Sequence, residues 1–245
     1  MIPLLPNLRR RAVDLHERMD DPNADRLLLA RTYEQFATVN RLISGWRGTY
    51  RRRIRPLLST TQPSTLLDVG CGGGDIARAL ARWAARDGLL LEVVAIDPDP
   101  RALDFAERAP NPEGVRFLRA QSAQLVELAQ RFDFVISNHV LHHLTAPELA
   151  DFLVDCELLT RGVSIHSDIR RGIGGYLLFW AVTVPFFRNS FIREDGLLSI
   201  RRSYTTPELR VAARREWTVH SQWPYRTILG YTTPAAAVAA ARTAD

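Results

Sequence analysis

Leu66-Leu67-Asp68-Val69-Gly70-Cys71-Gly72-Gly73-Gly74-Asp75 decides the fold of this 245-residue chain. An apolar strand runs into a glycine-rich turn and then into a helix, and Asp97 closes the next apolar strand. Glycines after a strand let the chain turn sharply and let a ligand approach the backbone. The helix that follows presents free amides at its N-terminus. A dinucleotide fingerprint uses that helix end to hold a pyrophosphate. Here Asp68 precedes the glycines and Asp75 sits at the helix start, where a phosphate would meet like charge. Carboxylates suit a cationic nucleoside such as S-adenosylmethionine better than NAD, and Asp97 is placed to accept hydrogen bonds from ribose hydroxyls. Asp75 has a second reading as a helix cap.

Outward from this turn, strand and helix patterns alternate. Residues 65–69, 89–96, 115–120, 132–137 and 162–167 read as strands; 76–86, 101–108, 123–130 and 145–159 read as helices. Thr145-Ala146-Pro147-Glu148 and Thr205-Thr206-Pro207-Glu208 both have capping-box spacing with proline in the first turn, the second opening a helix to about Arg215. Residues 216–223 and 226–232 read as a closing antiparallel hairpin around Pro224-Tyr225. The expectation is an α/β doubly wound, Rossmann-like, seven-stranded and mostly parallel sheet, with ligands at the carboxyl ends of its strands. Residues 1–62 form an N-terminal helical extension or lid, with a helix over 24–60 that puts Leu29, Tyr33, Phe36 and Ile43 on one face. Residues 63–235 form the main domain, carrying an inserted apolar lid segment at about 172–200. Residues 236–245 are a tail, either a frayed helix or disordered.

Composition narrows the partners. The net charge is +5, and all 32 basic residues are arginine, a bias that matches GC-rich coding more than a selected polyanion surface. Nucleic acid is therefore not the expected partner, although Arg51-Arg52-Arg53 keeps an RNA acceptor as an alternative. Cys71 and Cys156 are the only cysteines and neither has metal-ligand spacing, so no metal and no disulfide framework are expected, in keeping with a reducing cytoplasm. The start, Met1 to Pro6 followed by Arg9-Arg10-Arg11, has the wrong charge order for an export signal. The uncharged stretch Gly172–Phe187 is sixteen residues long and contains Gly174, Gly175 and Pro185. A membrane span takes about 20 apolar residues, so this segment reads as a lid helix.

The chain resembles the class I S-adenosylmethionine-dependent methyltransferases over about residues 62–169, through the turn at Asp68–Gly74, Asp97, and the segment Asn138-His139-Val140-Leu141-His142-His143-Leu144. The resemblance implies that Asp68, Gly70, Cys71 and Gly72 hold the methionine part of S-adenosylmethionine. It places the ribose at Asp97 and Pro98, and the cofactor's border at Asn138 and His139. Where that family has an acidic residue for the adenine amino group this chain has Gln121, whose carbonyl still accepts, and the Ser122 amide faces the ring.

Methyl transfer asks the protein to align a nucleophile with the methyl group and, for a phenol, to take a proton. Histidine suits that task near neutral pH. His139 is the first candidate base and His142 the second; paired histidines at this position are also often structural. On the fifth strand His166 and Asp168 share a face, and Asp168 either orients an imidazole, contacts the acceptor, or pairs with Arg170 or Arg171. The acceptor pocket is expected from Tyr33 and Trp46 together with Tyr176, Leu177, Phe179, Trp180, Val184, Phe186 and Phe187. This composition fits a flat or lipophilic small molecule, although each such side chain is also an ordinary core residue. The expected acceptor is a phenol, quinol or polyketide-like compound, methylated on oxygen in preference to carbon. A cofactor-binding protein without catalysis is the remaining alternative.

Overall fold

The computed structural model describes residues 6–183, 187 and 189–242. Its centre is a seven-stranded sheet in the order β3-β2-β1-β4-β5-β7-β6. The strands are β1 Ser64–Val69, β2 Leu91–Asp97, β3 Val115–Arg119, β4 Phe132–Asn138, β5 Thr160–Ile169, β6 Thr218–Gln222 and β7 Arg226–Thr232. β1 to β5 run parallel to one another, and β7 runs antiparallel to both β5 and β6. The middles of the central strands β1, β2 and β4 are mainly apolar because helices cover both faces. Leu66, Val93, Ala95, Phe134 and Ile136 pack on one side with Trp46, Tyr50, Ile54 and the apolar stripe of α3 (Asp75–Arg86). Leu67, Val94, Ile96 and Val135 pack on the other with α6 (Ala146–Leu159) and α9 (Thr206–Ala212). One face per alternate residue is what strand geometry dictates. The sheet order reverses between β1 and β4, where ligands settle in such folds.

Several boundaries depart from the sequence expectation for identifiable reasons. The helix expected over 24–60 is broken. α1 is Arg26–Ile43, and Gly45 then takes φ +72° before the short α2 (Trp46–Thr49), a π-helical turn Tyr50–Ile54 and a single turn Arg55–Leu57. A Cβ on Gly45 would lie 2.0 Å from the Gln222 side chain, so the break lets the N-terminal segment sit against β6. α4 (Pro100–Arg108) and α6 keep nearly the expected limits, whereas α5 is only Ser122–Glu127 and α9 stops at Ala212. β5 outruns its expected limits at both ends; its Val163–Ile169 stretch pairs with β7. The chain after Pro234 forms α10, Pro234–Arg242, anchored where the Thr233 amide and hydroxyl bond the Gly162 and Arg161 carbonyls.

The inserted segment contains two helices, α7 (Ile173–Thr183) and α8 (Ile192–Arg202). Gly174 and Gly175 lie inside α7, where a Cβ on either would meet the Tyr225 ring within 3.3 Å. Their smallness seats the lid on the β6–β7 turn. Val184, Pro185 and Phe186 lie outside the described residues. Among the described residues no helix is long and apolar enough to cross a membrane.

Candidate active site

A cavity of about 730 Å³ opens at the carboxyl ends of β1, β2, β4 and β5. Its floor is the β1–α3 turn. Gly70, Gly72 and Gly74 all have positive φ, and a Cβ at Gly72 would project into open space. The ten residues expected to border the cofactor, Asp68, Gly70, Cys71, Gly72, Asp97, Pro98, Gln121, Ser122, Asn138 and His139, all line this one cavity.

Asp68 is 1% exposed, and neither carboxylate oxygen has a hydrogen-bond partner among the described residues. Burial, and next the charges of Asp75 and Asp97, push its pKa up to about 8. A buried carboxyl without a donor is costly unless a ligand supplies one. Asp97 is shaped by the same turn: the Gly72 amide donates to one oxygen at 2.8 Å and the Asp99 amide to the other at 2.9 Å. Burial raises its pKa in spite of those bonds. Asp75, the first residue of α3, accepts from the Asn40 side chain at 3.0 Å, which ties α1 to the turn. At the far end the Ser122 hydroxyl donates to Asp155 at 2.6 Å, so α6 brings a carboxylate to the rim where Gln121 stands. An amino group at that rim therefore has an acidic neighbour that no motif signalled.

The histidines separate into three roles. His166 is fully buried between the Ser137 and Ser164 hydroxyls, at 2.8 and 2.9 Å, and packs on Phe152 and Trp217. Burial lowers its pKa to about 3, so it is a neutral core residue and does not line the cavity. His139 has φ +62° and turns the chain as it leaves β4. Its Nε2 accepts from the Arg226 guanidinium at 2.8 Å, leaving that lone pair engaged. Burial first, then the Arg226 charge, holds its pKa well below the ordinary imidazole value. His142 is 2% exposed and donates from Nδ1 to Asp168 at 2.8 Å. The Asp168 carboxylate also takes the His142 backbone amide at 2.8 Å. Burial opposes the charged ring, but the Asp168 and Glu17 carboxylates outweigh it and raise the pKa to about 9. Asp168 thus orients an imidazole. It does not pair with Arg170, which reaches Ser221, or with Arg171, which is buried against Glu208 and the Leu8 and Ser203 carbonyls.

Of the expected acceptor-pocket residues, Tyr33, Phe179 and Phe187 line the cavity, and Leu177 does not. Tyr33 lies near Asp97 and Asp99, its ring tilted against Phe105 at 5.2 Å, with its phenol pKa raised by burial and by Asp99 and Asp97. Trp46 does not line the cavity: it is 1% exposed in the core, and its indole N–H bonds Asn138 Oδ1 at 3.0 Å. Tyr176 faces a separate shallow cleft with Leu15 and Arg18, and Trp180 is not among the lining residues. The apolar wall is instead Phe36, Val39 and Leu42 of α1, Leu178, Phe179 and Val182 of α7, and Ile200 of α8. Sequence reasoning missed Glu17, Asp20 and Arg226, all of which border the cavity. Arg226, 2% exposed, is held by Ser167, Asn138 and His139.

Residues 66–161 match the family model described as a methyltransferase domain. With the strand order and the turn at Asp68, this makes that part of the chain a methyltransferase domain of the class I, Rossmann-like kind. Over 129 residues the chain is 28% identical to a ubiquinone biosynthesis O-methyltransferase of Azorhizobium caulinodans, covering 52% of this chain and 47% of that one. Also over 129 residues, it is 36% identical to the protein of that name from Methylocella silvestris, covering 47% of each. The chain therefore spans about half the length of the curated relatives it matches. The fold is shared with the plantazolicin methyltransferase BpumL solved with S-adenosylhomocysteine, at TM-score 0.58 and 12% identity over 88% of this chain and 92% of that one. It is shared also with a putative O-methyltransferase from Nostoc punctiforme, at TM-score 0.53 and 16% identity, covering 82% and 60% of the two chains.

Proposed function

We propose that this protein is a methyltransferase that uses S-adenosylmethionine to methylate a small, lipophilic, aromatic acceptor, on oxygen in preference to carbon. The observation that carries the reading is Asp68, a buried carboxyl with two unpartnered oxygens facing the turn cavity. A cationic amino group answers that need; a pyrophosphate does not. When bound, S-adenosylmethionine supplies an activated methyl group on a good leaving group. Asp68 and the Gly70–Gly72 backbone would hold its amino-acid part, Asp97 its ribose, and the Gln121–Ser122 rim with Asp155 its base.

What the chain itself contributes is position and charge. The α1, α7 and α8 side chains form a dry wall for the acceptor, and water exclusion strengthens every charge inside. Arg226 brings a buried positive charge to the acceptor side of Asn138 and His139, where it favours a hydroxyl in its ionised form. His139 stays neutral and serves as a wall and hydrogen-bonding residue; its Nε2 lone pair already accepts from Arg226. The O-methyltransferase names of the relatives support the choice of oxygen.

A screen with methyl-labelled cofactor against phenols, quinols, amines and RNA tests the proposal. Label in phenols or quinols is the expected result. Label in RNA alone would replace the acceptor class, and no label in any acceptor despite cofactor binding would leave a non-catalytic binding protein.

A further inference from the structure

We propose that Glu17, His142 and His143 form a binding site for a divalent transition-metal ion of the zinc type, at the wall of the acceptor cavity. One ligand atom from each of the three lies within 4.8 Å of the others, and all three residues line the cavity. His142 Nε2 is buried and makes no hydrogen bond, although Glu17 Oε1 stands 3.3 Å away. That separation is long for a charged hydrogen bond. It matches the edge of a tetrahedral site, where ligands about 2.0–2.1 Å from the ion lie about 3.3 Å from each other. His143 Nε2 is 3.9 Å from the second Glu17 oxygen.

The outer contacts have the pattern that orients metal ligands. His142 donates a hydrogen bond from Nδ1 to Asp168 at 2.8 Å, which leaves Nε2 as the atom that would meet the ion, in exchange for its own proton. His143 Nδ1 faces Asp20 at 3.4 Å. Ser199 donates to Glu17 at 2.8 Å. Imidazoles backed by carboxylates are the usual arrangement around a bound ion. Two imidazoles and one carboxylate suit zinc or cobalt, whereas magnesium prefers an all-oxygen set. The alternative grouping of His139, His142 and Asp168 fails because the His142 Nδ1–Asp168 hydrogen bond occupies that side. A fourth ligand would come from the cavity that these residues line, where an acceptor hydroxyl would sit. That use rests on the methyl-transfer reading; the site itself does not.

The test is titration of tag-free, metal-stripped protein with Zn²⁺ in a calorimeter and with Co²⁺ by its visible d–d absorption. Wild type is expected to saturate with one ion and to show d–d bands of a low-coordinate site. Since Glu17 and His142 are buried and their loss threatens folding, the diagnostic variants are the partly exposed His143→Ala and Asp20→Asn. His143→Ala should weaken binding more than about tenfold and change the bands, and Asp20→Asn should weaken it by about tenfold. Absence of saturable binding in wild type overturns the proposal, as does binding with bands unchanged in His143→Ala, which would indicate surface carboxylates only. S-adenosylhomocysteine binding measured on the same samples separates the two proposals: a failed zinc titration with intact cofactor binding removes this one alone.

Discussion

Asp68 at neutral pH holds a proton that an exposed aspartate would have lost, because its pKa is pushed up to about 8 by burial. The ordinary unfolded value is near 3.9. Across the window from about pH 4 to 8 the folded chain therefore binds one proton more than the unfolded chain, and stability falls as pH rises through it. Asp68→Asn should flatten that decline in denaturant unfolding curves. A cationic ligand favours the ionised carboxylate, so cofactor binding should release close to one proton at pH 7, and affinity should rise towards pH 8. Calorimetry in buffers of differing ionisation enthalpy measures this directly; a heat independent of buffer would show that Asp68 does not meet the cation. Asp68 and Asp97 were readable from the sequence because a strand, a glycine turn and a second strand end lie close together in the chain. Glu17 was not, since its partner His142 is 125 positions away and nothing local in Leu15-His16-Glu17 marks it. Trp46 and Tyr176 misled because aromatic composition does not say which helix face meets the cavity, and the break at Gly45 turns Trp46 into the core.

The strands and α3, α4 and α6 were legible at the level of elements because their periodicity and caps are local. α8 was not, for its apolar face is defined only by what the N-terminal segment brings to it. The β1–α3 turn is the element most sensitive to change. Gly74 has φ +74°, and a Cβ there would sit 2.4 Å from the Phe117 ring. The left-handed conformation alone costs a non-glycine residue about 1–2 kcal/mol. Gly74→Ala should therefore lower Tm by at least about 2–4 °C, at roughly 2–4 °C per kcal/mol for a chain of this size, and weaken cofactor binding as well. An unchanged Tm would mean that the turn is looser than described. The lid makes a separate prediction. Phe179 lines the cavity and packs over Gly196, so Phe179→Ala should raise KM for a lipophilic acceptor several-fold and leave S-adenosylhomocysteine affinity unchanged. Equal loss of both would place α7 over the cofactor instead.

The whole molecule is held closed by its N-terminal strap as well as by the sheet. Arg11 lies 3.6 Å over the Tyr204 ring and donates to the Arg202, His142 and Leu144 carbonyls. Hydrogen bonds from a charged donor are worth about 1.5–3 kcal/mol in total at such a site. Arg11→Ala should lower Tm by roughly 3–12 °C in a thermal melt. No change would show that the strap adds nothing to closure. Behind this strap, among the described residues, a large cavity has a polar end floored by Asp68 and Asp97 and an apolar end walled by α1, α7 and α8. The most direct test of that arrangement is a calorimetric titration with S-adenosylhomocysteine, with NAD as the comparison ligand, on wild type and Asp97→Ala. Saturable one-to-one binding to wild type, at least about tenfold weaker in the variant, and no heat with NAD is the predicted result. Binding of NAD in place of S-adenosylhomocysteine, or an affinity indifferent to Asp97→Ala, would contradict it.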